Sequence, residues 1–139
     1  MVEGTEYLKS VKFFYSFLKS EFGFSKVNDT VNGNAFYEVE YRDEEKAISI
    51  SYENIEDYLE VIVFKLLNGE MPNYDDKSQT LHINQLNKLI MSRVSQTEID
   101  SNAEYFSRFI PKGELERKLL KGAIELRLCL RHFDQLDLV

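Results

Sequence analysis

The chain has one cysteine, Cys129, and no tryptophan. A single thiol cannot form an internal disulfide, so the fold has to rest on its apolar core. Two prolines and six glycines in 139 residues leave little material for linkers. No internal repeat, low-complexity tract or domain boundary interrupts the chain. No apolar run approaches the ~20 residues of a membrane-spanning helix. The opening residues Met1-Val2-Glu3-Gly4-Thr5 lack the basic start and apolar core of a secretion signal. A Gly-rich phosphate loop, HExxH, CxxC and GxSxG are all missing, which removes the common catalytic signatures. The expectation from these absences is one domain over residues 1–139. It would be cytoplasmic and non-enzymatic, with no metal and no cofactor.

What is present fits a folded domain. Hydrophobic residues make up 43% and charged residues 29%, both globular values, and 139 residues suffice to bury a real core. The net charge is −7, and it is localised. Residues 36–76 hold twelve Asp/Glu against three Lys/Arg, a local charge of −9, so the remainder of the chain carries +2. An isoelectric point near 4.9 argues against nonspecific binding to nucleic acid or an anionic membrane. It suits a basic protein partner.

The acidic stretch also carries the clearest structural pattern. AFYEVEYR, KAISISYE and YLEVIVFKL read as three antiparallel strands joined by Asp43-Glu44-Glu45 and Asn54-Ile55-Glu56-Asp57. Tyr37, Val39 and Tyr41 alternate with Glu38, Glu40 and Arg42, and Ile48, Ile50 and Tyr52 alternate with Ala47, Ser49 and Ser51. This is the pattern of an antiparallel sheet with one wet face. The third of these strands is apolar on both faces, which predicts a central or doubly covered position. A preceding strand over Phe24–Val31 leads into Asn32-Gly33, a strong hairpin signal.

Helices flank the meander. Leu8, Val11, Tyr15, Leu18 and Phe22 have helical spacing and predict one helix from Thr5 to Phe22, with Gly23 ending it. Leu81-His82-Ile83 reads as a short strand, and a helix follows from Asn84. Ser101-Asn102-Ala103-Glu104 has capping-box spacing and predicts the start of the next helix. The last helix, Glu114–Phe133, carries two apolar stripes, Leu115/Leu119/Ala123/Leu126/Leu130/Phe133 and Leu120/Ile124/Leu128. The expected fold is therefore α+β: an N-terminal helix, a four-stranded antiparallel meander, then three C-terminal helices. Two stripes on one helix need two partners. A symmetric homodimer through Leu120, Ile124 and Leu128 would supply the second.

Four groups of residues have chemistry to weigh. Asp75, Asp76 and His82 are metal-ligand types, but their spacing matches no metal motif and a solvated loop explains them. His132 near a helix C-terminus is favourable for a partly cationic ring. Cys129 among leucines reads as a small buried hydrophobe. The fourth group is the acidic sheet face, with Glu38 and Glu40 on strand two, Ser49 and Ser51 beside them, and Glu60 on the same side of strand four. Tyr58 is one of five tyrosines in the acidic segment. Binding residues are accordingly expected at Glu38, Glu40, Ser49, Ser51, Tyr58, Glu60, Asp75 and Asp76. The alternatives are a small hydrolase or ligand-binding domain using Glu38, Glu40 and Glu60, and a self-associating structural subunit.

The string FYEVEYRDEEKAISISYENIEDYLEVIVFKL, with the size, acidity and helix-then-meander layout of residues 5–67, resembles bacterial immunity proteins of polymorphic-toxin and contact-dependent inhibition systems. The resemblance implies a non-enzymatic inhibitor that binds a toxin domain. It carries no functional residue over by position.

Overall fold

A computed structural model describes residues 2–72 and 80–133. The elements run α1 (Gly4–Phe14), α2 (Phe17–Ser20), β1 (Ser25–Asn32), β2 (Phe36–Arg42), β3 (Lys46–Glu53) and β4 (Tyr58–Lys65). Then follow β5 (Thr80–His82), α3 (Ile83–Met91), α4 (Gln96–Phe106) and α5 (Glu114–Arg131). The fold is α+β, with a meander in spatial order β1-β2-β3-β4-β5 and every pair antiparallel. The sheet thus has a fifth strand beyond the four-stranded meander. Leu81-His82 supplies it, but β5 covers β4 only from Ile62 to Phe64 before the chain turns into α3 at Ile83.

Alternation decides the faces as expected. Tyr37, Val39, Tyr41, Ile48, Ile50, Tyr52, Val61 and Val63 fall on one face, and all are buried in the main core. Tyr7, Val11 and Phe14 of α1 pack on this face, as do Leu119, Ala123 and Leu126 of α5. The Tyr7 hydroxyl donates to the Ile50 carbonyl at 2.7 Å, and its ring lies 5.9 Å from that of Tyr52. Gly4 opens α1 because no side chain fits there. A Cβ would sit 2.9 Å from Val31 Cγ1 and 3.1 Å from the Tyr37 ring.

The first helix is not continuous to Phe22. The helix stops at Phe14, Tyr15 takes φ −107° and ψ 20°, and a short turn resumes at Phe17. Phe14, Tyr15, Phe17 and Leu18 are all buried, more of the circumference than one helix face can bury. The break turns Tyr15 and Phe17 into the core together. Gly23, at φ 73°, then reverses the chain, and Phe24 N donates to the Leu18 carbonyl at 2.9 Å.

The start of α4 also differs. Ser95 caps it, its hydroxyl accepting from Glu98 N at 3.2 Å. Ser95-Gln96-Thr97-Glu98 has the same capping-box spacing as Ser101-Asn102-Ala103-Glu104, and the earlier box is the one used. Ser101 lies inside the helix, and Asn102 is buried against α5, where its Nδ2 donates to the Ile124 carbonyl at 2.9 Å.

That contact bears on the second stripe of α5. Leu128 is buried, and Leu120 and Ile124 are partly buried against the main core. The stripe expected to need a second subunit is therefore covered largely within the chain, by α3 and α4. Arg127 ties these helices to α2. Its guanidinium donates to Glu21 at 2.8 and 3.2 Å and to Asn102 Oδ1 at 2.8 Å, and it stacks 4.0 Å from the Tyr105 ring centre. Cys129 is buried, and burial pushes its thiol up to about 12. No helix among the described residues is long and apolar enough to cross a membrane.

Candidate functional site

Register places the second sheet face in cross-strand rows. Thr30, Glu38, Ser51 and Glu60 form one row, and Asn28, Glu40, Ser49, Ile62 and His82 form the next. The five face residues Glu38, Glu40, Ser49, Ser51 and Glu60 therefore lie together. The face is not the open, wet surface that the alternation predicts. Ala47, Ile62, Phe64 and Leu66 form a second buried apolar cluster on it, and Ser49 is buried beside them.

Each carboxylate of the face already holds a polar partner. Ser49 Oγ donates to Glu38, and Arg42 Nε donates to Glu40. Glu60 accepts from the Tyr58 hydroxyl at 3.0 Å and lies 3.2 Å from His82 Nδ1. The exposed acids sit instead at the sheet ends. Glu44 and Glu45 occupy the β2–β3 turn, beside exposed Glu70 beyond β4, and Glu56 and Asp57 occupy the β3–β4 turn. Asp75 and Asp76 lie outside the described residues. Among the described residues no group of three or more His, Cys, Asp or Glu is placed to hold a metal ion, and His82 meets Glu60.

Of these acidic positions, the β3–β4 end opens into a cavity. Because β5 stops at His82, the edge of β4 from Tyr58 to Val61 is left open, and α5 runs across it. The resulting cleft has a volume of about 440 Å3 and is lined from β4, the β5–α3 junction and α5. Asp57, Glu60, Lys118, Lys121 and Glu125 bring charge to it, His82 brings an imidazole, and Leu59, Val61 and Gly122 form its apolar wall.

Its charges are unevenly matched. Lys118 is held by Asp57, with Nζ 2.9 Å from the carboxylate and 3.2 Å from the Asp57 carbonyl. Asp57 has φ 52°, a left-handed position that Asp tolerates better than most residues, and this turns its carboxylate onto both Lys118 and the Tyr52 hydroxyl. Those two hydrogen bonds hold Asp57 below the ordinary carboxylate range. Burial, reinforced by the Asp57 hydrogen bond, pushes the Tyr52 phenol up to about 12. Glu125 behaves oppositely. Burial raises its carboxyl, and Lys121, at 3.9 Å, only partly offsets this. Behind the wall lies Tyr15, fully buried, whose hydroxyl finds no hydrogen-bond partner among the described residues. It occupies the space that a side chain at position 122 would take, 2.5 Å from where a Cβ would stand.

Of the residues expected to bind, Glu60 and Tyr58 reach this cleft, whereas Glu38, Glu40, Ser49 and Ser51 do not line it. The residues missed are Asp57, His82, Lys118, Lys121 and Glu125. Two local signals pointed to them. Gly122 interrupts a helix, where glycine is unfavourable without a close-approach reason. Glu125 stands one turn after Lys121 and two after Lys118, so helical spacing gathers these three charges on one face of α5. A second cavity, of about 420 Å3 and lined by Lys9, Phe13, Arg108, Ile110 and Lys112 among others, is basic and apolar rather than acidic. No family model, curated protein or solved structure matches this chain.

Proposed function

We propose that this protein is a non-catalytic binding domain that engages a basic protein partner, of the kind an immunity-type inhibitor makes with a toxin domain. The observation that carries the reading is the charge of residues 36–65, nine Asp/Glu against three Lys/Arg or −6, which fold as β2, β3 and β4 of one sheet with their turns. Like charges held this close repel one another in the folded state, and a basic partner relieves that repulsion and arrives by electrostatic steering. The contact surface is the β3–β4 end: Glu56 and Asp57 on the turn, and Glu60 and Glu125 in the cleft beside it. Relative to the earlier expectation, the surface moves from Glu38, Glu40, Ser49 and Ser51, which do not line the cleft, to the end of the sheet.

The test is affinity capture with the immobilised protein at low and moderate salt, run beside a Glu56→Lys/Glu60→Lys variant. The reading expects a basic protein retained by the wild type and lost by the variant. If neither salt retains a basic protein, it fails.

A second reading is favoured by one specific observation. A concave site with a carboxyl raised by burial is what a small-ligand pocket requires. Glu125 is that carboxyl, and Glu60 lines the same cleft, whereas Glu38 and Glu40 do not. Retention of a small molecule through native mass spectrometry, with no protein captured, would favour this reading.

A further inference from the structure

We propose that the basic cavity between α1 and the α4–α5 connection receives an acidic segment of a partner protein, with one apolar side chain seated on Phe13 and Ile110 and its flanking carboxylates on Lys9, Arg108 and Lys112. This surface shares no residue with the cleft at the β3–β4 end. It goes beyond the binding reading above and does not rest on it.

Two short stretches build the cavity. Lys9 and Phe13 stand one turn apart on α1 and share a helix face. Between α4 and α5 burial alternates: Arg108, Ile110 and Lys112 are exposed, while Phe109 is buried and Pro111 partly so. Phe109 anchors the connection in the core, and its exposed neighbours line about 420 Å3 of open space together with Lys9 and Phe13.

Charge sets this place apart. The chain carries 24 acids against 17 Lys and Arg. Even so, among the described residues none of Lys9, Arg108 and Lys112 forms an ion pair. The acid that lines the cavity, Glu116, has its carboxylate on the Lys112 backbone N–H at 3.2 Å. Arg108 is held in position by rings instead of by an acid. Its guanidinium lies 5.1 Å from the ring centres of both Tyr105 and Phe109. Its planar fork of donors, the geometry that grips a carboxylate best, is left without one.

Apolar exposure marks the same place. Phe13 is 57% exposed although its ring packs 5.0 Å from that of Phe109, and Ile110 is 75% exposed. Apolar side chains ringed by charge are the pattern of a contact surface, and aromatic residues with arginine dominate the energy of such contacts. A floor this open does not enclose a small molecule, which loses most of its surface in a pocket built for it. A protein segment brings its own cover. An anionic bilayer fits less well, because the rest of this acidic chain is repelled by it. The complement of three cations around an apolar floor is an apolar side chain between carboxylates.

The probe is acetyl-Glu-Asp-Phe-Glu-Asp-amide, titrated at low salt into the intact isotope-labelled protein and followed by amide chemical shifts. Two controls accompany it: acetyl-Glu-Asp-Ser-Glu-Asp-amide keeps the charge, and acetyl-Gln-Asn-Phe-Gln-Asn-amide keeps the ring. The expected result is saturable shifts at Lys9, Phe13, Ile110 and Lys112, with affinity about tenfold lower for either control. Arg108→Gln/Lys112→Gln and, separately, Ile110→Ser should each weaken the probe about tenfold. All three positions are exposed, so the dispersion of the spectrum should not change. Three results overturn the inference: shifts spread over other lysines without saturating, equal binding of the uncharged peptide, or wild-type affinity in either variant. Self-association of the free protein that Ile110→Ser abolishes would give the surface to a second copy. Retention on phosphatidylserine vesicles that Arg108→Gln/Lys112→Gln abolishes would give it to a membrane. Either outcome also overturns the inference. The binding reading stands or falls separately, because its Glu56→Lys/Glu60→Lys variant leaves every residue of this cavity in place.

Discussion

Replacing Arg127 with alanine should be among the most damaging single changes to this fold. Arg127 is 7% exposed, and its guanidinium serves three helices at once. Loss of the side chain leaves Asn102 Oδ1, on a residue 1% exposed, without its donor at 2.8 Å. An unsatisfied buried acceptor costs about 1–3 kcal/mol. Removing the stacking on Tyr105 adds roughly 0.5–2 kcal/mol. Glu21 adds less than a fully buried partner would, because it is 29% exposed and can turn to water. The expected loss is therefore about 3 kcal/mol, equivalent to a fall in Tm of about 10 °C for a chain of this length. Urea unfolding followed by circular dichroism measures it, with an unchanged slope against denaturant as the check on two-state behaviour. Arg127→Met keeps most of the stem and should lose less. Combining Arg127→Ala with Asn102→Ala should give less than the sum of the single losses. A loss under about 1 kcal/mol would refute the reasoning and reduce the network to a surface ion pair.

Three further outcomes follow from the same structure. Gly122→Ala should destabilise by about 1–3 kcal/mol despite the better helix propensity of alanine, because its Cβ meets the Tyr15 hydroxyl. Tyr15→Phe should be neutral or stabilising in urea and should rescue part of the Gly122→Ala loss; a Gly122→Ala protein more stable than wild type would contradict the packing. Glu125, whose folded carboxyl is raised by burial, favours the folded state while protonated and loses that contribution as pH rises from the ordinary value of 4.5 through the raised one. Wild type and Glu125→Gln should therefore converge in stability below pH 4.5, and the variant should be the more stable at neutral pH. Thermal melts across that window check the sign, and a variant less stable at neutral pH would reverse it. Finally, Ser95→Ala should lose about 1 kcal/mol of helix-cap stabilisation while Ser101→Ala loses almost nothing; the opposite ranking would restore the later capping box.

The strands were legible because their signal is local. Period-two alternation from Tyr37 to Val63 assigns each residue to a face without knowledge of its neighbours, and the pairing obeys it. What that alternation misjudged was the wetness of the polar face. The strand Tyr58–Lys65 is the exception, because apolar residues on both of its faces predict a doubly covered position, and its Ile62 and Phe64 do form, with Ala47 and Leu66, a second buried cluster beside the buried Ser49. The helix break at Tyr15 was hidden because periodicity cannot show that adjacent positions are buried together. Ser95 and Ser101 carry identical spacing, and only the packing of Asn102 against α5 separates them. The cleft was least legible of all. Asp57 meets Lys118 across 61 residues, and Glu60 meets His82 only because β5 joins the sheet. The premise for a dimer through Leu120, Ile124 and Leu128 weakened for a similar reason, since α3 and α4 cover that stripe from within the chain.

The central claim is that the β3–β4 end and its cleft, rather than acidity in general, hold the basic partner. The most direct measurement is the binding kinetics of that partner with two charge-matched variants, Glu60→Gln/Glu125→Gln in the cleft and Glu44→Gln/Glu45→Gln at the opposite end of the sheet. Each pair removes the same charge. The account predicts faster dissociation and a Kd raised about tenfold or more for the cleft pair, with only a slower, salt-dependent association for the distal pair. Equal effects from the two pairs, or a larger effect from Glu44 and Glu45, would contradict it.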